Sequence, residues 1–158
     1  MNTCVYMIPK EYLSDHHCLH LKKLAAEHLQ IETGRIKVGK IFEFQNLTLD
    51  KEEKEFVEFF LTDSVSNSVF FDSTYSEPGF STYCVVSKRA GITDDESRCA
   101  EKTFEDRFSR PSTLISSHTL YMFERNIPEE EFEKLASTLL GNPLIQTFSF
   151  GQIGRAHV

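Results

Sequence analysis

The chain has 158 residues, enough for one domain of ordinary size or two very small ones packed together. Hydrophobic residues make up 40% of it, with 14 Phe and no Trp, so a core can form; a net charge of −7 without any Lys/Arg stripe argues against a nucleic-acid or anionic-membrane partner. No apolar run approaches the length of about 18 residues that reads as a membrane span, and residues 1–10 lack the basic and apolar regions of a signal peptide, so a cytoplasmic location is expected.

A strand is predicted over residues 3–8. Ser14 then reads as an N-cap, followed by a helix to about Leu29 that places Cys18, Leu21, Ala25 and Leu29 on one face. Gly34 opens an extended stretch through Gln45, with Ile36, Val38, Ile41, Phe42 and Phe44 as its apolar members and a bend expected at Gly39. Asp50 with Glu53 three residues later reads as a capping box for a helix that presents Phe56, Phe59 and Phe60. A strand over 68–71 closes this half.

The order then recurs. A strand is predicted over 82–87, and Thr93 with Glu96 reads as a second capping box. Ala100, Phe104 and Phe108 form a buried stripe. The next strand covers 114–124. Pro128 suits the first turn of a helix carrying Phe132, Leu135, Ala136, Leu139 and Leu140. Gly141-Asn142-Pro143 ends that helix, with left-handed geometry expected at Gly and Asn, and residues 145–150 form the last strand.

Advancing the chain by 79 positions brings Ser14 to Thr93, Ile36 to Ile115, Phe44 to Phe123, Phe56 to Leu135 and Phe71 to Phe150. One offset serves caps, strands and helices without a gap, as an internal duplication requires. The fold class expected is α+β: two tandem β-α-β-α-β repeats forming a ferredoxin-like pseudo-dimer, with helices on one face of a mainly antiparallel sheet. The first repeat spans residues 1–72, a connector 73–81 and the second repeat 82–152. Either unit alone leaves sheet edge exposed and has a marginal core.

His16, His17, Cys18 and His20 form the most metal-like group, since His16 and His20 lie one helical turn apart. No C-x-x-C pair or second histidine cluster joins them, so a helix face with Cys18 turned inward is expected. The acidic residues Asp50, Glu52, Glu53, Glu55, Glu58 and Glu129, Glu130, Glu131, Glu133 sit at helix N-termini, where negative charge complements the dipole on a solvated face. Asp94-Asp95-Glu96 is read the same way. Cys4, Cys18, Cys84 and Cys99 are far apart and read as small buried hydrophobes with free thiols. With no glycine-rich phosphate loop, no G-x-S-x-G and no cysteine nucleophile motif, no catalytic, cofactor-binding or metal residue is assigned.

Residues 153–158, Ile153-Gly154-Arg155-Ala156-His157-Val158, break the repeat pattern and match a translation of ATC GGA AGA GCA CAC GTC, the start of a common sequencing adapter. The chain is therefore expected to be the N-terminal piece of a longer protein.

Three segments resemble one family. Lys88-Arg89-Ala90-Gly91-Ile92-Thr93-Asp94 resembles the K-x-P-G-V-T-D turn of phosphoribosylformylglycinamidine synthase, with Ala90 in place of Pro. Ile36-Lys37-Val38-Gly39-Lys40-Ile41-Phe42-Glu43 is similar to that family's V-R-V-G-K-x-Y-E strand, and Leu140-Gly141-Asn142-Pro143-Leu144-Ile145 to its L-x-N-P-V-I helix end. Where the turn motif would recur in the first half, Glu11-Tyr12 stands instead. The resemblance implies an N-terminal domain like a fused dimer of the family's small subunit. Such a domain bridges the synthase domain and a glutaminase domain or subunit and helps ammonia pass between them. The parent reaction is the ATP- and glutamine-dependent amidation of formylglycinamide ribonucleotide in purine biosynthesis. Its ATP, Mg and glutaminase sites belong to regions absent here, so no cofactor and no catalytic residue carries over. The alternatives are a tandem α+β small-molecule-binding regulatory domain and, more remotely, a metal-dependent enzyme built on His16 and His20.

Overall fold

The structure, a computed structural model, describes residues 2–10, 16–61, 67–71, 77–109 and 114–153. Ser14, Glu11-Tyr12, part of the 73–81 connector and residues 154–158 lie outside them. The first half runs β1 (Thr3–Pro9), α1 (His16–Leu29), β2 (Ile36–Phe44), α2 (Lys51–Phe56) and β3 (Asn67–Phe71). The second runs β4 (Thr82–Lys88), α3 (Asp95–Phe108), β5 (Ile115–Phe123), α4 (Glu129–Leu135) and β6 (Gln146–Gln152). The class is mixed α+β. Six strands form one sheet in the order β3-β1-β2-β5-β4-β6, every neighbouring pair antiparallel. Among the described residues no helix is long and apolar enough to cross a membrane.

The strand registers repeat at the offset found in the sequence. Thr3↔Phe44 in the β1–β2 pair becomes Thr82↔Phe123 in β4–β5, each residue advanced by 79. Val5↔Phe71 becomes Cys84↔Phe150 in the same way. At the junction Ile36 pairs with Phe123 and Phe44 with Ile115, so the pairing is unchanged when the two halves are exchanged. The midpoint of that exchange is the Lys40↔Thr119 pair.

Alternation along the strands divides the sheet into two faces. Phe42 and Phe44 on β2 and Tyr121 and Phe123 on β5 face the helices; Ile41, Leu120 and Met122 face the other way. Under the helices lie two cores, and each draws its long helix from the opposite half. Leu21 and Ala25 of α1 pack with Cys84, Val86, Phe132 and Leu135 of the second half. Ala100 and Phe104 of α3 pack with Val5, Phe44 and Val57 of the first. Phe104 meets Phe44 edge-on at 5.3 Å, and Phe108 meets Phe56 at 5.2 Å. On the far face Ile8, Ile41, Leu120 and Met122 are buried with Tyr6, Phe80, Tyr83 and Ile153 packed against them.

Local sequence accounts for the helix starts, with one shift. Asp50 accepts from the Glu53 backbone N–H at 2.8 Å and Glu53 Oε1 accepts from Asp50 N–H at 3.1 Å, a complete capping box. In α3 the cap is Asp94, whose side chain accepts from Ser97 N–H, and Thr93 does not serve. Glu96, expected to complete the box, instead pairs with Lys40 of β2. Pro128 occupies the N-cap of α4 with no side-chain cap bond.

Both short helices widen into π-helical turns, Val57–Leu61 and Ala136–Leu140. At each transition one N–H serves two carbonyls: Val57 to Glu53 and Lys54, Ala136 to Glu133 and Phe132. The widening rotates the helix face, because a wider turn places more residues per revolution than the 3.6 assumed from sequence. Val57 is fully buried, while Phe59 and Phe60, grouped with Phe56 in the sequence pattern, are 66% and 72% exposed.

Two glycine expectations change. Gly39 marks no bend; it lies within β2, and a Cβ there would meet the Met7 carbonyl oxygen at 2.8 Å and Ile8 Cδ1 at 2.9 Å. Gly141 is extended, with φ −173°, because it closes the π-helical turn through its N–H to Ala136 O.

Candidate functional site

The turn after β4 and the turn before β6 belong to the two family-like segments of the second half, and strand pairing brings them together. Lys88 lies opposite Gln146. Arg89 N–H then donates to Ile145 O at 2.9 Å, and Arg89 Nε donates to Pro143 O at 2.9 Å. The second turn is closed by its own bonds: Asn142 Oδ1 accepts from Leu144 N–H at 3.0 Å, and Gln146 Oε1 accepts from Asn142 N–H at 2.7 Å. Leu144, at 82% exposure, and Ile92, at 39%, project from these fixed turns. The third family-like segment coincides with β2, at the junction of the halves.

Asp94 anchors the base of α3 to β5. Its carboxylate accepts from Ser97 N–H at 3.1 Å, Ser97 Oγ at 2.5 Å, Ser117 Oγ at 2.8 and 3.0 Å, Ser117 N–H at 3.2 Å and Lys88 Nζ at 3.0 Å. Burial opposes ionisation here, but the donors from Ser97, Ser117 and Lys88 outweigh it and hold the carboxyl well below the usual carboxylate range. The arrangement belongs to the second half. Residues 79 earlier are Pro9 for Lys88, Cys18 for Ser97 and Val38 for Ser117. Sequence reading found Asp94 as an acidic first-turn residue but missed Ser117. The available signal was a serine at a helix-facing position of β5, where Ile115 and Tyr121 are apolar.

On the far face, His118 Nδ1 lies 2.7 Å from Ser87 Oγ across the β4–β5 pair. Burial lowers the imidazole pKa, against the opposing pull of Glu43 and Asp94. A histidine whose burial favours the neutral ring, beside a hydroxyl, has the parts of a proton-transfer pair. No donor set for a developing oxyanion stands beside it among the described residues, and the same contact serves as a cross-strand polar pair.

His16, His17 and His20 are exposed on α1, while Cys18 is buried beneath them. Among the described residues no group of three or more His, Cys, Asp or Glu side chains could hold a metal ion. No disulfide links the four cysteines. Cys84 is fully buried, and burial pushes its thiol up to about 12; Cys99 is exposed and Cys4 half-buried, contrary to the expectation that all four would be buried. Most acidic helix-start residues are exposed as expected, but Asp94 and Glu58 are half-buried and Glu53 is drawn by its capping role to 1% exposure.

Beside the start of α4, between the ends of β4 and β6, is a solvent-open cavity of about 610 Å³. Its apolar wall is Ile127, Phe132 and Phe150, and Asn126, Glu129 and Gln152 supply its polar groups. No family model matches this chain, and a search of curated proteins finds no match.

Proposed function

We propose that this chain is the N-terminal assembly domain of a phosphoribosylformylglycinamidine synthase: two ferredoxin-like β-α-β-α-β repeats fused into a pseudo-dimer. It acts in the cytoplasm and is not itself catalytic. ATP and Mg are used by the synthase domain of the parent chain, and glutamine by a glutaminase domain or subunit. This domain joins the two and aids ammonia transfer.

The observation that carries the reading is the exchange symmetry of the molecule. Every strand register recurs at one offset, and each core borrows its long helix from the other half. A fused dimer of a small subunit predicts that arrangement. The two family-like turns also meet in one hydrogen-bonded surface, as segments retained together for one contact would.

The test separates ammonia delivery from synthesis. A synthase lacking this domain is mixed with its glutaminase, with and without the 158-residue chain, and supplied with either glutamine or ammonium. The chain is expected to restore glutamine-dependent amidation and leave ammonium-dependent amidation unchanged. Equal glutamine-dependent turnover with and without the chain ends the proposal. The transcript beyond codon 152 offers a second check, because the proposal requires the frame to continue into an ATP-binding synthase.

A further inference from the structure

We propose that the cavity beside α4 binds a small planar cation, such as an aromatic amine or amidine. This goes beyond the assembly role and stands independently of it. The volume, about 610 Å³, lies within the range of small-molecule sites. Phe132 and Phe150 stack at 4.7 Å with 28° between their planes, and Ile127 beside them is 5% exposed. Phe132 is itself 2% exposed, so the partly exposed Phe150 ring is the surface offered to a flat group, and an aromatic face also attracts a cation.

The polar side of the cavity fixes the sign of charge. Thr82 is committed, its hydroxyl donating to Arg125 O at 2.8 Å. The side chains of Asn126, Gln152 and Glu129 make no hydrogen bond or ion pair with the described protein, so they are open to a ligand. Among the described residues no Lys or Arg lines the space, and Glu129 is its charged lining residue. A phosphate or carboxylate would lose hydration there without gaining a partner, whereas an amidinium can pair with Glu129 and donate to the two amides.

The first half shows why this end is available. There Glu53 turns inward, buried, and closes the capping box with Asp50. The residue 79 positions later is Phe132, and the Pro128 N-cap brings no side-chain bond. An inward carboxylate is thus replaced by an aromatic wall.

The test is a chemical-shift titration of the isotope-labelled 158-residue chain with benzamidine, indole and benzoate. Benzamidine is expected to shift the amides of Ile127, Gly151 and Gln152 saturably in the millimolar range, and benzoate to leave them in place. Glu129→Gln, at an exposed position that preserves the fold, is expected to weaken benzamidine about fivefold and leave indole unchanged. Benzoate binding as well as benzamidine, insensitivity of benzamidine to Glu129→Gln, or no shift of these amides up to about 10 mM benzamidine overturns the proposal.

Discussion

Asp94→Ala removes the cap of α3 and at the same time strips Ser97, Ser117 and Lys88 of their shared acceptor. Loss of such a cap costs about 1–2 kcal/mol, and chemical denaturation should report a loss at or above the upper end, because buried Ser97 also loses a partner. The same group shapes the pH response. The folded pKa of Asp94 is depressed, so its contribution is present above the unfolded value near 4 and is lost as pH falls below it. His118 acts at milder pH. Its folded pKa is also lowered, so the native state prefers the neutral ring, and stability declines as pH drops through about 6.5. Denaturation midpoints measured from pH 8 to pH 3 should show both declines. His118→Gln should flatten the upper one and Asp94→Asn the lower one. The Asp50–Glu53 box was legible in the sequence because its partners lie three residues apart. Asp94 with Ser117 was not, because only strand pairing brings a residue 23 positions away under the start of the helix.

At the scale of elements, the π-helical turns separate side chains that look alike in the sequence. Val57 is fully buried, so Val57→Ala should cost about 1–3 kcal/mol in equilibrium unfolding. Phe59→Ser, at 66% exposure, should cost less than about 0.5 kcal/mol despite removing the larger group. A reversed order would place Phe59 in the core and the turn in α-helical register. Hydropathy at a period of 3.6 predicted the element and its start but could not show where the helix widens. In the 14-residue helices α1 and α3, where no widening occurs, the same reasoning placed Cys18, Leu21, Ala25, Ala100 and Phe104 on the buried face.

For the whole molecule, each helix-side core is completed by a long helix from the other half, so a half on its own lacks part of its core. Residues 1–72 or 82–152 produced separately should show little cooperative unfolding by circular dichroism, whereas the two mixed should regain it. Phe104→Ala tests the same point within the intact chain. Phe104 belongs to the second half but is fully buried against Phe44 of the first, so a loss of about 3–5 kcal/mol should accompany faster amide exchange in β1 and β2. The α+β class and the offset of 79 were legible because both depend on patterns along the chain. Which helix covers which strands was not, since two halves closing on themselves and two halves trading helices bury the same side chains. The cavity beside α4 was hidden for a related reason: Thr82, Phe132 and Gln152 approach only through the pairing of β4 with β6 and the placement of α4.

Because both halves belong to one polypeptide, their association is a unimolecular event. A short tether holds two partners at an effective concentration in the millimolar range, so the melting temperature of the joined chain should not vary with dilution, unlike that of a dimer of separate subunits. In a single chain a substitution occurs once, so the residues facing each other near the Lys40↔Thr119 midpoint can differ in chemistry. Lys40 pairs with Glu96, whereas the positions 79 residues away hold Thr119 and His17.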